Sequence, residues 1–224
     1  MKIKQLTNAE FKAFSEQFRP SSMYQTIQYA FTMNEEECDT FFLGLMDGNV
    51  LKAATLVLVQ KVNGFKYALA PRGFLINFND ASLVEVFTKQ IKKFLGKRDI
   101  VAIKINPLII KDVYNKDGKV IQQNMYYDTI FTNLKKLGYY HLGYNNFFEA
   151  LKPRFEAVVN IDLPYTQIFA NIEKPFRTKI RKATKEGIKI YHGNINNLDY
   201  LYLQTKDKYP RDLDYFNDLY KFFD

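Results

Sequence analysis

A chain of 224 residues with 47% hydrophobic and 16% aromatic content has ample material for a packed core, which excludes a disordered tail. Its formal charge of +8 favours an anionic partner, such as a phosphate, a nucleic acid or an acidic lipid surface. A single cysteine, Cys38, excludes an intrachain disulfide, and no run of about 18 apolar residues offers a candidate membrane span.

The N-terminal MKIKQLTNAEF has no apolar signal core, so a cytoplasmic protein is expected. Residues 2–6 read as a short strand. Thr7-Asn8-Ala9-Glu10 reads as a helix start, with Phe11, Phe14 and Phe18 on one face of the helix that follows. Ser21-Ser22 precede a second short helix holding Tyr24, Gln25, Ile27, Gln28 and Phe31, and Glu35-Glu36-Glu37 read as a solvated turn. Residues 40–47 and 50–62 flank Gly48-Asn49, and Asn63-Gly64 is a second hairpin signal. Phe65 to Leu69 completes an antiparallel meander that opens into Pro71-Arg72-Gly73.

Ser82 to Leu95 spaces its apolar residues as a helix, and Asp99 to Ile105 reads as a strand stopped by Asn106-Pro107. Lys116 to Lys119 is a turn, and Met125 to Leu137 a helix closed by Gly138. Tyr139 to Phe148 is expected to be a strand and loop. Phe155 to Leu163 alternates like a strand and is ended by Pro164. Residues 1 to about 150 are thus expected to form a three-layer α/β unit around a mixed sheet.

Charge concentrates in the next stretch. Residues 150–190 carry 9 basic and 4 acidic residues, whereas residues 191–224 carry 4 and 6. On a helix, Phe176, Ile180, Ala183 and Gly187 form an apolar stripe, while Arg177, Arg181 and Lys185 stack on a neighbouring face. Pro175 suits the first turn, and Gly187 suits a C-terminal stop before the β-branched IKI, which is expected to be a second strand of another sheet. The expectation is a helix with one side in a core and the other presenting cations. Its plain alternative is a solvated basic face.

Familiar catalytic patterns are missing. His141 and His192 are the only histidines, and with one cysteine they offer no tetrahedral zinc site. Neither GxGxxG nor GxxxxGK[ST] can be read, which excludes the common nucleotide loops. The pyrophosphate loop of acetyl-CoA-dependent acyltransferases is also absent. No Ser-His-Asp or Cys-His arrangement is recognisable, so the sequence assigns no catalytic residue.

The segment from Arg177 through Ile180, Lys182-Ala183 and Gly187-Ile188 resembles the R-x-x-I-x-K-A…G-V segment of the Fem family (FemA-, FemB-, FemX- and MurM-like aminoacyltransferases). Four further segments agree in order: Tyr24-Gln25-Thr26 with Tyr29, Tyr67 to Gly73, Ile103 to Pro107, and Tyr215 to Phe223. The resemblance implies transfer of an aminoacyl group from aminoacyl-tRNA to the amine of a peptidoglycan precursor, which builds the interpeptide bridge. It implies an α/β fold of two GNAT-like halves, with a mixed, largely antiparallel sheet. Residues 1–150 would be the first half and 151–224 the unfinished start of the second. No cofactor or metal is implied; the partners would be aminoacyl-tRNA, a UDP- or lipid-linked muropeptide, and the membrane surface peripherally.

By the same resemblance, Arg177 matches the motif arginine and would hold the precursor's phosphates in a bidentate fork. Lys179, Arg181 and Lys182 would assist it or face tRNA phosphates. Gln25, Tyr67, Arg72 and Asn106, from the other matching segments, complete the candidate substrate-binding set. Two departures stand out: Met33-Asn34 occupies the place of a phosphate-binding lysine, and Asn106-Pro107 replaces an Asp-Pro. Asparagine hydrogen-bonds but cannot serve as a carboxylate base. Two other readings compete: a GNAT-like acyltransferase using another donor, and a non-catalytic fragment that binds RNA or an anionic surface. If the second half is incomplete, the aromatic face of Tyr215 to Phe223 is expected to be exposed.

Overall fold

The computed structural model describes residues 1–143, 155–208 and 211–223. Its longest strand, β3 (Val50–Val62), is apolar on both faces, as a strand covered on both sides must be. Ala53, Val57 and Val59 turn to one core, and Ala54, Leu56 and Leu58 turn to the other. Around it stand β1 (Lys2–Gln5), β2 (Asp39–Asp47), β4 (Phe65–Ala70) and β5 (Ile100–Ile105), in the order β1-β2-β3-β4-β5. The first three pairings are antiparallel, and β4 runs parallel to β5. The expected mixed sheet is therefore present.

A parallel pair needs a crossover, and α3 (Ala81–Gly96) supplies it. Asp80 caps its N-terminus by accepting the Leu83 N–H, and Val84, Phe87, Ile91, Phe94 and Leu95 are buried against one face of the sheet. The other face is covered by α1 (Asn8–Gln17) and α2 (Ile27–Glu35), through Phe11, Tyr29, Ala30 and Met33. The start of α1 is the capping box expected from Thr7 and Glu10: the Thr7 hydroxyl accepts the Glu10 N–H, and the Glu10 carboxylate accepts the Thr7 N–H. A second small sheet, β6 (Asp112–Tyr114) with β7 (Val120–Gln123), flanks the turn at 116–119. Then α4 (Tyr127–Lys136) buries Ile130.

The chain divides into two compact units: residues 1–140 with 197–224, and residues 141–196. In the first, α7 (Leu198–Thr205) leads to α8 (Leu213–Phe223), which packs on α2. Phe222 meets Phe31 with ring centroids 5.6 Å apart, and Arg211 lies 3.5 Å from Glu36. The aromatic face expected to be exposed is thus partly covered: Phe222 is half-buried against α2, whereas Phe223 stays exposed.

The second unit holds α5 (Tyr165–Asn171) and α6 (Lys174–Lys185). The strands expected over 155–163 and after Gly187 are not formed; both stretches are irregular and exposed. Alternation satisfies a strand only when a neighbour takes its backbone groups, and no paired strand lies among the described residues of this unit. Of Tyr139 to Phe148, residues 139–143 are irregular, and the rest falls outside the described residues.

Candidate functional site

Because β4 and β5 are parallel, their C-terminal ends open at the same edge of the sheet, where ligands gather in folds with parallel strands. Two loops leave there. After β4 the chain turns at Pro71-Arg72-Gly73, with the Gly73 N–H donated to the Ala70 carbonyl at 3.2 Å. Arg72 takes a left-handed conformation, φ 55°, unusual for a residue with a side chain. Its N–H is donated to Asn106 Oδ1 at 2.7 Å, so the first residue after β5 fixes the turn after β4.

Between these loops, the β6–β7 hairpin and the start of α4, a cleft of about 610 Å³ opens. Arg72, Asn77, Lys111, Gln123 and Tyr126 line it, above a floor that includes the buried Phe74 and Ile76. Its charged lining among the described residues is Arg19, Arg72 and Lys111, with no carboxylate. The Arg19 guanidinium is held by the carbonyls of Glu16 and Phe18 at 2.7 and 2.8 Å. An apolar floor, several amides and a cationic charged lining among the described residues suit a ligand that is anionic in one part and amide- or hydroxyl-rich in another. Among the described residues no group of three His, Cys, Asp or Glu could hold a metal.

Of the residues expected from sequence, Arg72 borders this cleft, and Asn106 holds its backbone. Gln25 stands behind it and is 1% exposed, so its side chain does not reach a ligand. Its amide is consumed by backbone: Oε1 accepts the Leu56 N–H at 2.8 Å, and Nε2 donates to the Pro71 carbonyl at 2.8 Å. Tyr67 is exposed on β4, paired with Gln60 and Ala102, and is not part of the cleft lining. Arg19, Lys111 and the amides from Asn77 and Gln123 were not singled out by sequence. They come from four separate segments, and no local pattern marks any of them.

The other four candidates lie on α6. Pro175 is in its first turn, and Gly187, φ 80°, ends it, as the sequence suggests. The Ile188 N–H closes that end on the Ala183 carbonyl at 3.1 Å. One expectation fails. Phe176 and Ile180 are 56% and 41% exposed rather than in a core, because no sheet is formed among the described residues of this unit to cover them.

The cations of α6 make shallow contacts. Arg177 Nη1 donates to the Ala170 carbonyl at 3.3 Å, and the Arg181 guanidinium lies 5.5 Å from the Phe169 ring centroid. Lys179 stands over the Phe176 ring, and Lys182 is 3.6 Å from Glu186. Exposed contacts of these kinds contribute at most about 1 kcal/mol each, so they would yield readily to a polyanion.

Comparison with known proteins agrees with this architecture. The model of the FemAB family matches residues 6–224. Aminoacyltransferase FemA from Staphylococcus aureus strain bovine RF122 / ET3-1 is 28% identical over 194 residues, 85% of this chain and 46% of the relative. FemA from strain MW2 shows the same identity and coverage. The crystal structure of FemX superposes with a TM-score of 0.76 at 22% identity, covering 99% of this chain and 55% of that one. The chain spans about half the length of the curated relatives it matches.

Proposed function

Since this chain belongs to the FemAB family, we propose that it serves an aminoacyltransferase that carries an aminoacyl group from aminoacyl-tRNA to the amine of a peptidoglycan precursor. The observation that carries the reading is the cleft beyond β4 and β5, whose charged lining among the described residues is Arg19, Arg72 and Lys111. A UDP- or lipid-linked muropeptide combines a diphosphate, sugar hydroxyls and peptide amides. Arg72 and Lys111 match the first, and Asn77 and Gln123 match the others. The cleft's volume falls within the roughly 300–1,000 Å³ common for small-molecule sites.

The reaction needs no dedicated nucleophile on the protein. The acceptor amine attacks the ester carbonyl, the C–N bond forms, and the C–O bond to the tRNA breaks. The amine loses a proton, and the departing tRNA oxygen gains one. The protein contributes alignment and stabilisation of the oxyanion. Arg177, which matches the family's arginine, is proposed as a further phosphate contact, and Lys179, Arg181 and Lys182 as contacts to tRNA phosphates. A cytoplasmic location accords with both substrates. No helix among the described residues is long and apolar enough to cross a membrane.

Calorimetric titration with a UDP-linked muropeptide tests the reading. Arg72→Ala should weaken binding by about tenfold to a hundredfold, the value of one charge-assisted bidentate contact. Arg72→Lys should recover part of it, since the charge remains but the fork is lost. Equal affinity in wild type and Arg72→Ala would remove the cleft from the mechanism.

A further inference from the structure

The turn that brings Arg72 to the cleft is an interruption in the sheet, and the interruption is filled by one side chain. From Leu58 to Ala54, β3 advances four residues; its partner over the same stretch runs from Leu69 to Leu75, which is six. The excess is expelled as the Pro71-Arg72-Gly73 turn. Leu58, Leu56 and Ala54 lie two apart and turn their backbone groups to the same edge. Leu58 faces Leu69, and Ala54 exchanges two hydrogen bonds with Leu75, at 3.1 and 2.9 Å. Leu56, between them, pairs with Phe42 of β2 on its other side but has no strand residue opposite at this edge among the described residues.

Gln25 takes that place. Its Oε1 accepts the Leu56 N–H at 2.8 Å, and its Nε2 lies 3.3 Å from the Leu56 carbonyl. The same Nε2 donates to the Pro71 carbonyl at 2.8 Å, and the Thr55 hydroxyl lies 3.4 Å from Oε1. The fit leaves no spare room: a Cβ on Gly73 would stand 2.7 Å from Thr55 Oγ1 and 3.0 Å from Gln25 Nε2. One buried amide therefore acts as a surrogate strand residue and as the inner anchor of the turn. Asn106 is the outer anchor, through the Arg72 N–H.

We propose that Gln25 is a positioning residue for ligand binding: it holds the Arg72 turn out of the sheet and in the cleft, without touching the ligand. This rests on the reading of the cleft as the acceptor site. Only a side chain with an acceptor and a donor on one planar group meets both demands, since Leu56 offers an N–H and Pro71 a carbonyl. Apolar replacement leaves both buried groups unpaired, whereas a carboxyl group replaces the amide only while it carries a proton.

The test follows amide hydrogen exchange at Arg72, together with calorimetric affinity for a UDP-linked muropeptide. In Gln25→Met, exchange at Arg72 should accelerate at least about tenfold, and affinity should fall by about as much, while amides of the β2–β3 ladder keep their protection. In Gln25→Glu, burial raises the introduced carboxyl's pKa. Protection and affinity should match wild type at low pH and fall together as the pH rises through that value. A purely structural residue would lower the melting temperature without this pH-linked change at Arg72. If Gln25→Met does not fold, the Gln25→Glu titration decides alone. Unchanged exchange at Arg72 in Gln25→Met, or in Gln25→Glu across the titration, overturns the proposal, and so does lost protection with full affinity. Wild type that binds no muropeptide overturns the functional reading instead, and exchange at Arg72 then judges the anchor by itself.

Discussion

Helices α3 and α6 have similar patterns and opposite surroundings. In α3, Val84, Phe87 and Ile91 recur every three or four residues and are buried on the sheet. In α6, Phe176, Ile180 and Ala183 recur with the same spacing, yet none is buried. A periodic apolar stripe states that a face requires cover. Whether cover exists is decided elsewhere: for α3 by strands paired across the first unit, which the second unit does not form among its described residues. The hydrophobic term should therefore stabilise α3 strongly and α6 hardly at all.

The largest expected effect tests this directly. Phe87→Ala should cost about 3–5 kcal/mol in urea denaturation, because the ring is fully buried. Phe176→Ala should stay within about 0.5 kcal/mol, as for an ordinary surface position. Comparable losses at the two sites would break the comparison.

Glycines sharpen it at the next level. Gly73→Ala should destabilise by about 1–3 kcal/mol through crowding against Thr55 and Gln25, with weaker muropeptide binding. Gly187→Ala meets nothing within 4 Å and suffers only from its positive φ, so about 1 kcal/mol is expected, confined to the end of α6. Circular dichroism melts of both variants check this, and a larger loss at Gly187 would reverse the ranking.

Helix starts give the smallest effect. Thr7→Ala removes a capping box and should cost about 1 kcal/mol. At the head of α6, Glu173 makes no side-chain cap bond, and Glu173→Ala should cost nothing measurable. The Glu10 carboxyl is held down to about 2, chiefly by its hydrogen bond from Lys4 and then by the Thr7 N–H. A depressed carboxylate adds stability above its ordinary value of 4.5 and loses it as the pH falls toward 2. Thr7→Ala keeps both the Lys4 and the backbone N–H contact, so the melting temperatures of wild type and variant should fall together over that range, with the gap between them nearly constant.

Legibility in the sequence follows the range of the interactions. The β2–β3–β4 meander could be read because Gly48-Asn49 and Asn63-Gly64 mark its turns locally, and the cap at Thr7 because its partner is three residues away. Strands β6 and β7 were missed, although their turn was recognised, since three or four residues carry too little pattern. Phe155 to Leu163 misled because alternation contains no information about a partner. At the site, Arg72 and Asn106 were named from the family resemblance, but their mutual hydrogen bond spans 34 residues. Gln25 was named as a ligand contact, and its real partners, 31 and 46 residues away, make it part of the sheet.

The return of α8 to α2 has a further consequence, for how the chain can change length. Its contacts, Phe222 on Phe31 and Arg211 beside Glu36, close a loop that includes the whole segment 141–196. The entropy lost on closing a loop grows only with the logarithm of its length, so doubling or halving it shifts the balance by about 0.6 kcal/mol. Attachment of α8 is therefore nearly indifferent to how many residues lie between. Insertions and deletions within 141–196 can accumulate there while the sheet, its cleft and its C-terminal helix stay assembled.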